Sequence, residues 1–178
     1  MTHSTVYEIV RDFAVPRGRV YAAWTRPERL ARWFGPRVFT TPVHRVVLDV
    51  RPGGRWRAVL VGDEGLEVTL GGAYREVEEP GRLVFTTGDP DDPVDGPAAV
   101  VTLTLDEHDG TTTMRFHHHG VDTDPEHAEG AKAGWIEFFD RLAEHLAAQT
   151  TSPRGTAPSE GTAPSRGTAS KVSSRPRA

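Results

Sequence analysis

From Asp124 to Ala148 the apolar residues of this chain recur with the period of a helix. With Ala131 set at zero and about 100° added per residue, Gly134, Trp135, Phe138, Phe139, Leu142 and Leu146 fall within one arc, while Glu129, Glu137, Asp140 and Glu144 lie opposite. The pattern predicts an amphipathic helix with a bulky apolar face. Thr123 and Glu126 have capping-box spacing and Pro125 suits a first turn. At 1.5 Å per residue such a helix is roughly 37 Å long, enough to cross the sheet of a small domain.

The preceding hundred residues alternate instead. Val6 to Ala14 places Ile9, Arg11 and Phe13 on one side and Val10, Asp12 and Ala14 on the other, as a strand does. After Pro16, Arg17 to Trp24 suits a short helix. Thr25-Arg26-Pro27-Glu28 repeats the helix-start signal and predicts a second short helix through Leu30, Trp33 and Phe34, ended by Gly35-Pro36. Strands are predicted over Val43 to Val50, Arg55 to Val61, Glu67 to Val77, Arg82 to Thr87, Ala98 to Leu105 and Thr111 to His119. Arg51-Pro52-Gly53-Gly54 reads as a hairpin connection, and Glu107 to Gly110 as another. Gly71-Gly72, inside a strand, marks a bulge, a bend or the close approach of another segment. Gly88 to Pro97 reads as a loop.

Seven strands at short spacing imply an antiparallel meander, and a sheet of that width twists and curls. The architecture expected is therefore α+β. A curled sheet around one helix, propped open by the short helices, leaves room for a ligand between the layers.

Composition narrows the setting. The chain has 178 residues, 37% hydrophobic and 26% charged, which suits one core rather than two. The expected organisation is a domain over 1–148 and a disordered, low-complexity basic tail over 149–178, where Gly-Thr-Ala-Pro-Ser recurs. The tail carries five basic residues against Glu160, and its balance of +4 leaves −8 for the rest of a chain whose net charge is −4. A body that acidic is a poor nucleic-acid binder. Without a long apolar run or a signal-peptide pattern the expected location is cytoplasmic, with no membrane span. With no cysteine, disulfides, thiolate metal sites and a cysteine nucleophile are excluded.

Candidate chemistry is sparse. In the last strand Met114, Phe116 and His118 share a face, so the apolar pair carries His118 inward. By the same parity Leu103 pairs with Leu105, Leu83 with Phe85, and Leu70 with Gly72 and Tyr74; whether Tyr74 points inward depends on a bulge at the double glycine. His117 and His119 share the opposite face, giving two ligands where zinc takes three or four, and Asp89, Asp91, Asp92 and Asp95 lack EF-hand spacing. Asp49 and Arg51 are spaced for an ion pair. No G-x-S-x-G, phosphate-loop, dinucleotide or metal motif occurs, so no catalytic residue, metal or cofactor is expected.

The segment Val20-Tyr-Ala-Ala-Trp-Thr-Arg-Pro-Glu-Arg-Leu-Ala-Arg-Trp-Phe-Gly-Pro36 resembles the signature of bacterial proteins similar to the activator of heat-shock protein 90 ATPase. Asp49-Val-Arg-Pro-Gly-Gly-Arg-Trp56, Gly72-Ala-Tyr-Arg-Glu-Val77, Pro80-Gly-Arg-Leu-Val-Phe-Thr86, and Gly134-Trp135 with Leu142 and Leu146 follow in order. The resemblance spans about residues 5 to 148 and implies the SRPBCC, or START-related, superfamily. Its helix-grip fold holds the C-terminal helix over a hydrophobic cavity inside a curved antiparallel sheet. It also implies a strand-end histidine at His118 and places Trp33 and Phe34 near a cavity entrance.

The function expected is binding, for sequestration or transport, of a small hydrophobic metabolite, driven by burial of its hydrocarbon. The residues expected to line the site are Trp33, Phe34, Trp56, Tyr74, Phe85, Leu103, Met114, Phe116, His118, Trp135, Phe138 and Phe139. Stress tolerance or metabolite resistance would follow from sequestration alone. The superfamily's range leaves two alternatives open: a cyclase, dehydrase or hydrolase on a hydrophobic metabolite, and a co-chaperone-like interaction module. A monomer or homodimer is expected.

Overall fold

The computed structural model describes residues 5–88, 99–120 and 125–151, in which the alternating segments form seven strands and the periodic segment one long helix. In chain order these are β1 (Thr5–Phe13), α1 (Arg17–Thr25), the single turn α2 (Pro27–Leu30), β2 (Val46–Leu48), β3 (Arg55–Val61), β4 (Glu67–Glu78), β5 (Arg82–Thr87), β6 (Ala99–His108), β7 (Thr111–Gly120) and α3 (Pro125–Thr151). The capping partner Thr123, the four aspartates and the chain from 152 onward lie outside the described residues. Helix α3 runs three residues past the boundary expected at 148.

The strands form one antiparallel sheet in the order β1-β7-β6-β5-β4-β3-β2. Strands β2 to β7 follow one another as a meander, and β1 closes onto β7 with Ile9 opposite Phe116 and Tyr7 opposite His118. The β6–β7 turn needs two residues with positive φ, supplied by Asp109 at 49° and Gly110 at 75°.

Two local readings are corrected by the structure, and the alternatives left open at the double glycine are decided. Residues 43–45, expected to begin a strand, form a 3₁₀ turn after Pro42, and β2 is only three residues long. Thr25 does not cap α2; its hydroxyl donates back to the Tyr21 carbonyl at 2.8 Å and finishes α1, so Arg26 takes the cap position. The register shift in β4 falls between Tyr74 and Glu76, not at the double glycine. Gly72 marks the close approach: a Cβ there would lie 2.0 Å from the Thr86 carbonyl oxygen. The Asp49–Arg51 pair forms within the hairpin loop, with Arg51 Nε 2.8 Å from Asp49 Oδ2.

Alternation dictates what is buried. Ile9 and Phe13 of β1, Leu83 and Phe85 of β5, Val101, Leu103 and Leu105 of β6, and Met114 and Phe116 of β7 join one core with Trp135, Phe138, Phe139, Leu142 and Leu146 of α3. Arg11 shares the inward face of β1 and reaches the rim of α3, where Nη1 meets Asp140 Oδ1 at 2.7 Å.

Candidate functional site

Whether a cavity exists depends on how completely aromatic volume fills the space between sheet and helix. Trp24 of α1 stands at the centre, its ring centroid 4.8 Å from Trp33 and within 6.0–6.5 Å of Phe85, Phe116, Trp135 and Phe139. Trp33 is fully buried and its indole donates to the Ala23 carbonyl at 3.0 Å, and Phe34 packs edge-on to Trp56 and Phe138. The Trp33–Phe34 pair is therefore core, not the rim of an entrance. A void of about 10 Å³ remains among Trp24, Leu30, Phe34, Trp56, Tyr74, Leu83 and Phe85. That is room for about one water molecule. The central hollow expected from the sheet's curvature is closed by these rings.

Open space survives at one end of the sheet. A cleft of about 260 Å³ is lined by Leu70, Thr87, Gly88, Ala99, His118, Ala131, Gly134, Trp135 and Phe138. Its origin is the small residues: Gly88 and Ala99 on the sheet side face Ala131 and Gly134 on α3, where a Cβ at Gly134 would meet nothing within 4 Å. Trp135 and Phe138 supply an apolar wall and Thr87 and His118 a polar minority, the composition of a site for a largely apolar molecule.

His118 is half-buried and stacks on Tyr7 with centroids 4.8 Å apart and planes 7° from parallel. Its Nδ1 and the Tyr7 hydroxyl are both buried without a hydrogen-bonding partner among the described residues. An unsatisfied buried N–H is costly, so the ring is best served by carrying its proton on Nε2. Burial, then the neighbouring His119, push the His118 pKa below the ordinary imidazole value, and burial raises the Tyr7 phenol to about 12. The ring is thus neutral at pH 7, a hydrogen-bonding group rather than a charge.

Since the folded-state pKa of His118 is depressed, the unfolded chain takes up the proton first on acidification, and stability present above about pH 6.5 is lost as pH falls below that value. His145, also depressed, acts in the same direction. Denaturant midpoints measured from about pH 7.5 down to about pH 5 are expected to fall, and to fall less in His118→Gln. An unchanged pH slope in that variant would mean the imidazole is fully hydrated.

Of the residues singled out in the sequence, the structure brings His118, Trp135 and Phe138 to the cleft. Phe34, Trp56, Tyr74 and Phe85 surround the small void, and Trp33, Leu103, Met114, Phe116 and Phe139 are solid core. Tyr74 does point inward. Leu70, Thr87, Gly88, Ala99, Ala131 and Gly134 were not identified from sequence as lining residues. Their signal was missing bulk: Gly134 sits on the apolar arc of α3 where a large side chain would be expected.

On the outer face His117 and His119 lie side by side, and β1 brings Glu8 Oε2 to 2.5 Å from His117 Nε2. The register that supplies this carboxylate pairs strands more than a hundred residues apart, which local spacing cannot reveal. Among the described residues no group of three or more His, Cys, Asp or Glu is arranged to hold a metal ion, and no helix is long and apolar enough to cross a membrane.

Comparison with known proteins agrees with this architecture. The family model described as Activator of Hsp90 ATPase homolog 1-like protein matches residues 14–147. No curated protein gives a significant match. Among solved structures, the AHSA1 protein from Silicibacter pomeroyi is 27% identical with a TM-score of 0.71, the alignment covering 82% of this chain and 99% of that one. A protein from Rhodobacter sphaeroides is 28% identical, covering 81% and 93% with a TM-score of 0.68. One from Mycobacterium smegmatis is 26% identical, covering 83% and 91% with a TM-score of 0.67.

Proposed function

Because the chain belongs to the family of activator of Hsp90 ATPase homolog 1-like proteins, with its SRPBCC-type fold, we propose that it binds a small hydrophobic molecule in the cleft between the β4–β7 end of the sheet and the first half of α3. The observation that carries this reading is the 260 Å³ apolar cleft walled by Trp135 and Phe138 beside a core that is otherwise filled. The cleft lies just below the roughly 300–1,000 Å³ of drug-sized sites. A single ring system or a short branched chain fits it better than a long acyl chain. His118, the ionisable side chain among the described lining residues, is neutral and orients the ligand through one hydrogen bond.

Burying about 200 Å² of apolar ligand surface is worth about 5 kcal/mol before the costs of association, so dissociation constants from about 0.2 mM into the millimolar range are expected. Sequestration and transport need no more than this. The further candidates Trp33, Phe34, Trp56, Tyr74, Phe85, Leu103, Met114, Phe116 and Phe139 act by holding the cleft's inner wall rigid.

Gly134 provides the test, since it lines the cleft and a Cβ there meets nothing within 4 Å. Gly134→Leu is expected to weaken binding of a naphthalene-based fluorescent probe at least about tenfold, the effect of losing one well-buried apolar contact surface. Gly134→Ala should keep most of the binding and stabilise the protein by about 0.5–1 kcal/mol through helix propensity. If Gly134→Leu binds the probe as the unaltered protein does, the cleft is not the site. Native mass spectrometry of protein from its own host would identify what it carries.

A further inference from the structure

A second concavity, of about 440 Å³, opens along the C-terminal half of α3 and is lined by Arg32, Arg37, Arg141, Glu144 and His145. Its chemistry is unlike that of the apolar cleft. Arg37 and Glu144 cancel each other through a two-point pair, with Nη1–Oε2 at 3.1 Å and Nη2–Oε1 at 2.5 Å. Glu137 accepts the backbone N–H of Arg37 at 2.8 Å, and Asp140 is held by Arg11. Glu144 and Asp140 are thereby each paired with a cation, while Glu137 keeps its charge near Arg141.

Among the described residues Arg29, Arg32 and Arg141 make no salt bridge. Arg141 is fixed in place by donating Nη1 to the carbonyls of Gly35 at 2.8 Å and Pro36 at 3.1 Å, so its guanidinium is held rigid without being neutralised. Burial and then Arg37 depress its pKa, opposed by the carboxylates of Glu137 and Glu144. Arg29 donates to Gln149 Oε1 at 3.3 Å, which turns the Gln149 amide nitrogen toward His145 Nε2 at 3.2 Å. His145 Nε2 must then accept, and the neutral ring carries its proton on Nδ1. Burial, followed by Arg29 and Arg32, keeps that ring uncharged.

Two guanidiniums without an ion-pair partner among the described residues, Arg32 and Arg141, thus line the concavity, and a third, Arg29, stands beside it, linked to the lining His145 through Gln149. Planar forks of fixed orientation match the oxygens of a phosphate group, and a dianion would relieve the repulsion among them. We propose that the concavity between the α2 turn and the C-terminal half of α3 is a phosphate-binding site, in which Arg29, Arg32 and Arg141 engage the oxygens and His145 adds a hydrogen bond. The proposal is independent of the apolar cleft and stands or falls without it.

The full-length protein titrated with inorganic phosphate at constant ionic strength, with the imidazole signals followed by NMR, reads the site directly. Saturable shifts of the His145 signals are expected, with affinity reduced about tenfold or more in Arg29→Gln/Arg32→Gln. Arg32→Gln alone, at an exposed position, gives an intermediate loss with the fold untouched, and Arg55→Gln on the far side of the sheet gives none. Shifts that never saturate, or that persist undiminished in the double variant, would overturn the site. Sedimentation with phosphatidylcholine vesicles, with and without phosphatidic acid, then separates the sources. Pull-down only with phosphatidic acid, lost in the double variant, assigns the phosphate to a lipid headgroup, and saturable phosphate binding without pull-down assigns it to a soluble molecule.

Discussion

Phe139→Ala is expected to destabilise the protein by about 3–5 kcal/mol, the range for removing a large aromatic from a closed core. Phe139 is wholly buried and lies 5.0 Å from Phe116, 5.9 Å from Trp135, 6.0 Å from Trp24 and 6.5 Å from Trp33. Its neighbours are themselves rigid rings on three different elements, so they cannot collapse into the space it leaves. The cost therefore includes a cavity as well as lost transfer energy. For a domain of this size the loss lowers the melting temperature by roughly 10–15 °C. Calorimetry checks it. A loss below about 1 kcal/mol would show that the rings repack freely and that the solid interior described above is a soft one.

Gly72→Ala is the second large effect. The added methyl carbon would sit 2.0 Å from the Thr86 carbonyl oxygen and 2.6 Å from its carbon, both main-chain atoms of the neighbouring strand. Thr86 cannot retreat without consequences, since its carbonyl accepts the Trp56 indole N–H at 2.9 Å and its hydroxyl accepts the Ala73 backbone N–H at 2.9 Å. Strands β4 and β5 must separate locally and give up that network. About 2–4 kcal/mol is expected from the combined strain and lost hydrogen bonds, read as a lower denaturant midpoint with an unchanged slope. Unaltered stability would mean the two strands can part at this point at no cost.

How much of this was legible beforehand varies with the range of the interaction. Period-2 alternation fixed the inward face of β7 correctly through Met114, Phe116 and His118, because side-chain direction in a strand is a property of the strand itself. The apolar arc of α3 was readable for the same reason. Thr25 was misread since a threonine near a helix end can bond forward as a cap or backward to the preceding turn, and only the geometry of α1 decides. The filled hollow was beyond reach for a different reason. Whether Trp24, Phe34, Phe85 and Phe139 fill a space depends on rotamers and ring angles shared among α1, the segment after α2, β5 and α3, and no local pattern records a sum of volumes. The arginine concavity joins residues 32–37 to 141–145, which the sequence holds more than a hundred positions apart.

The pairing of the first strand with the last strand sets a constraint on how this chain comes to be folded. As it leaves the ribosome, Thr5–Phe13 has no sheet neighbour until Thr111–Gly120 has been synthesised, some hundred residues later. Until then its row of backbone donors and acceptors and its apolar side stand exposed to whatever else is nearby. Closure over so long a loop is the kind of long-range pairing that slows folding and leaves nascent chains open to association in the meantime.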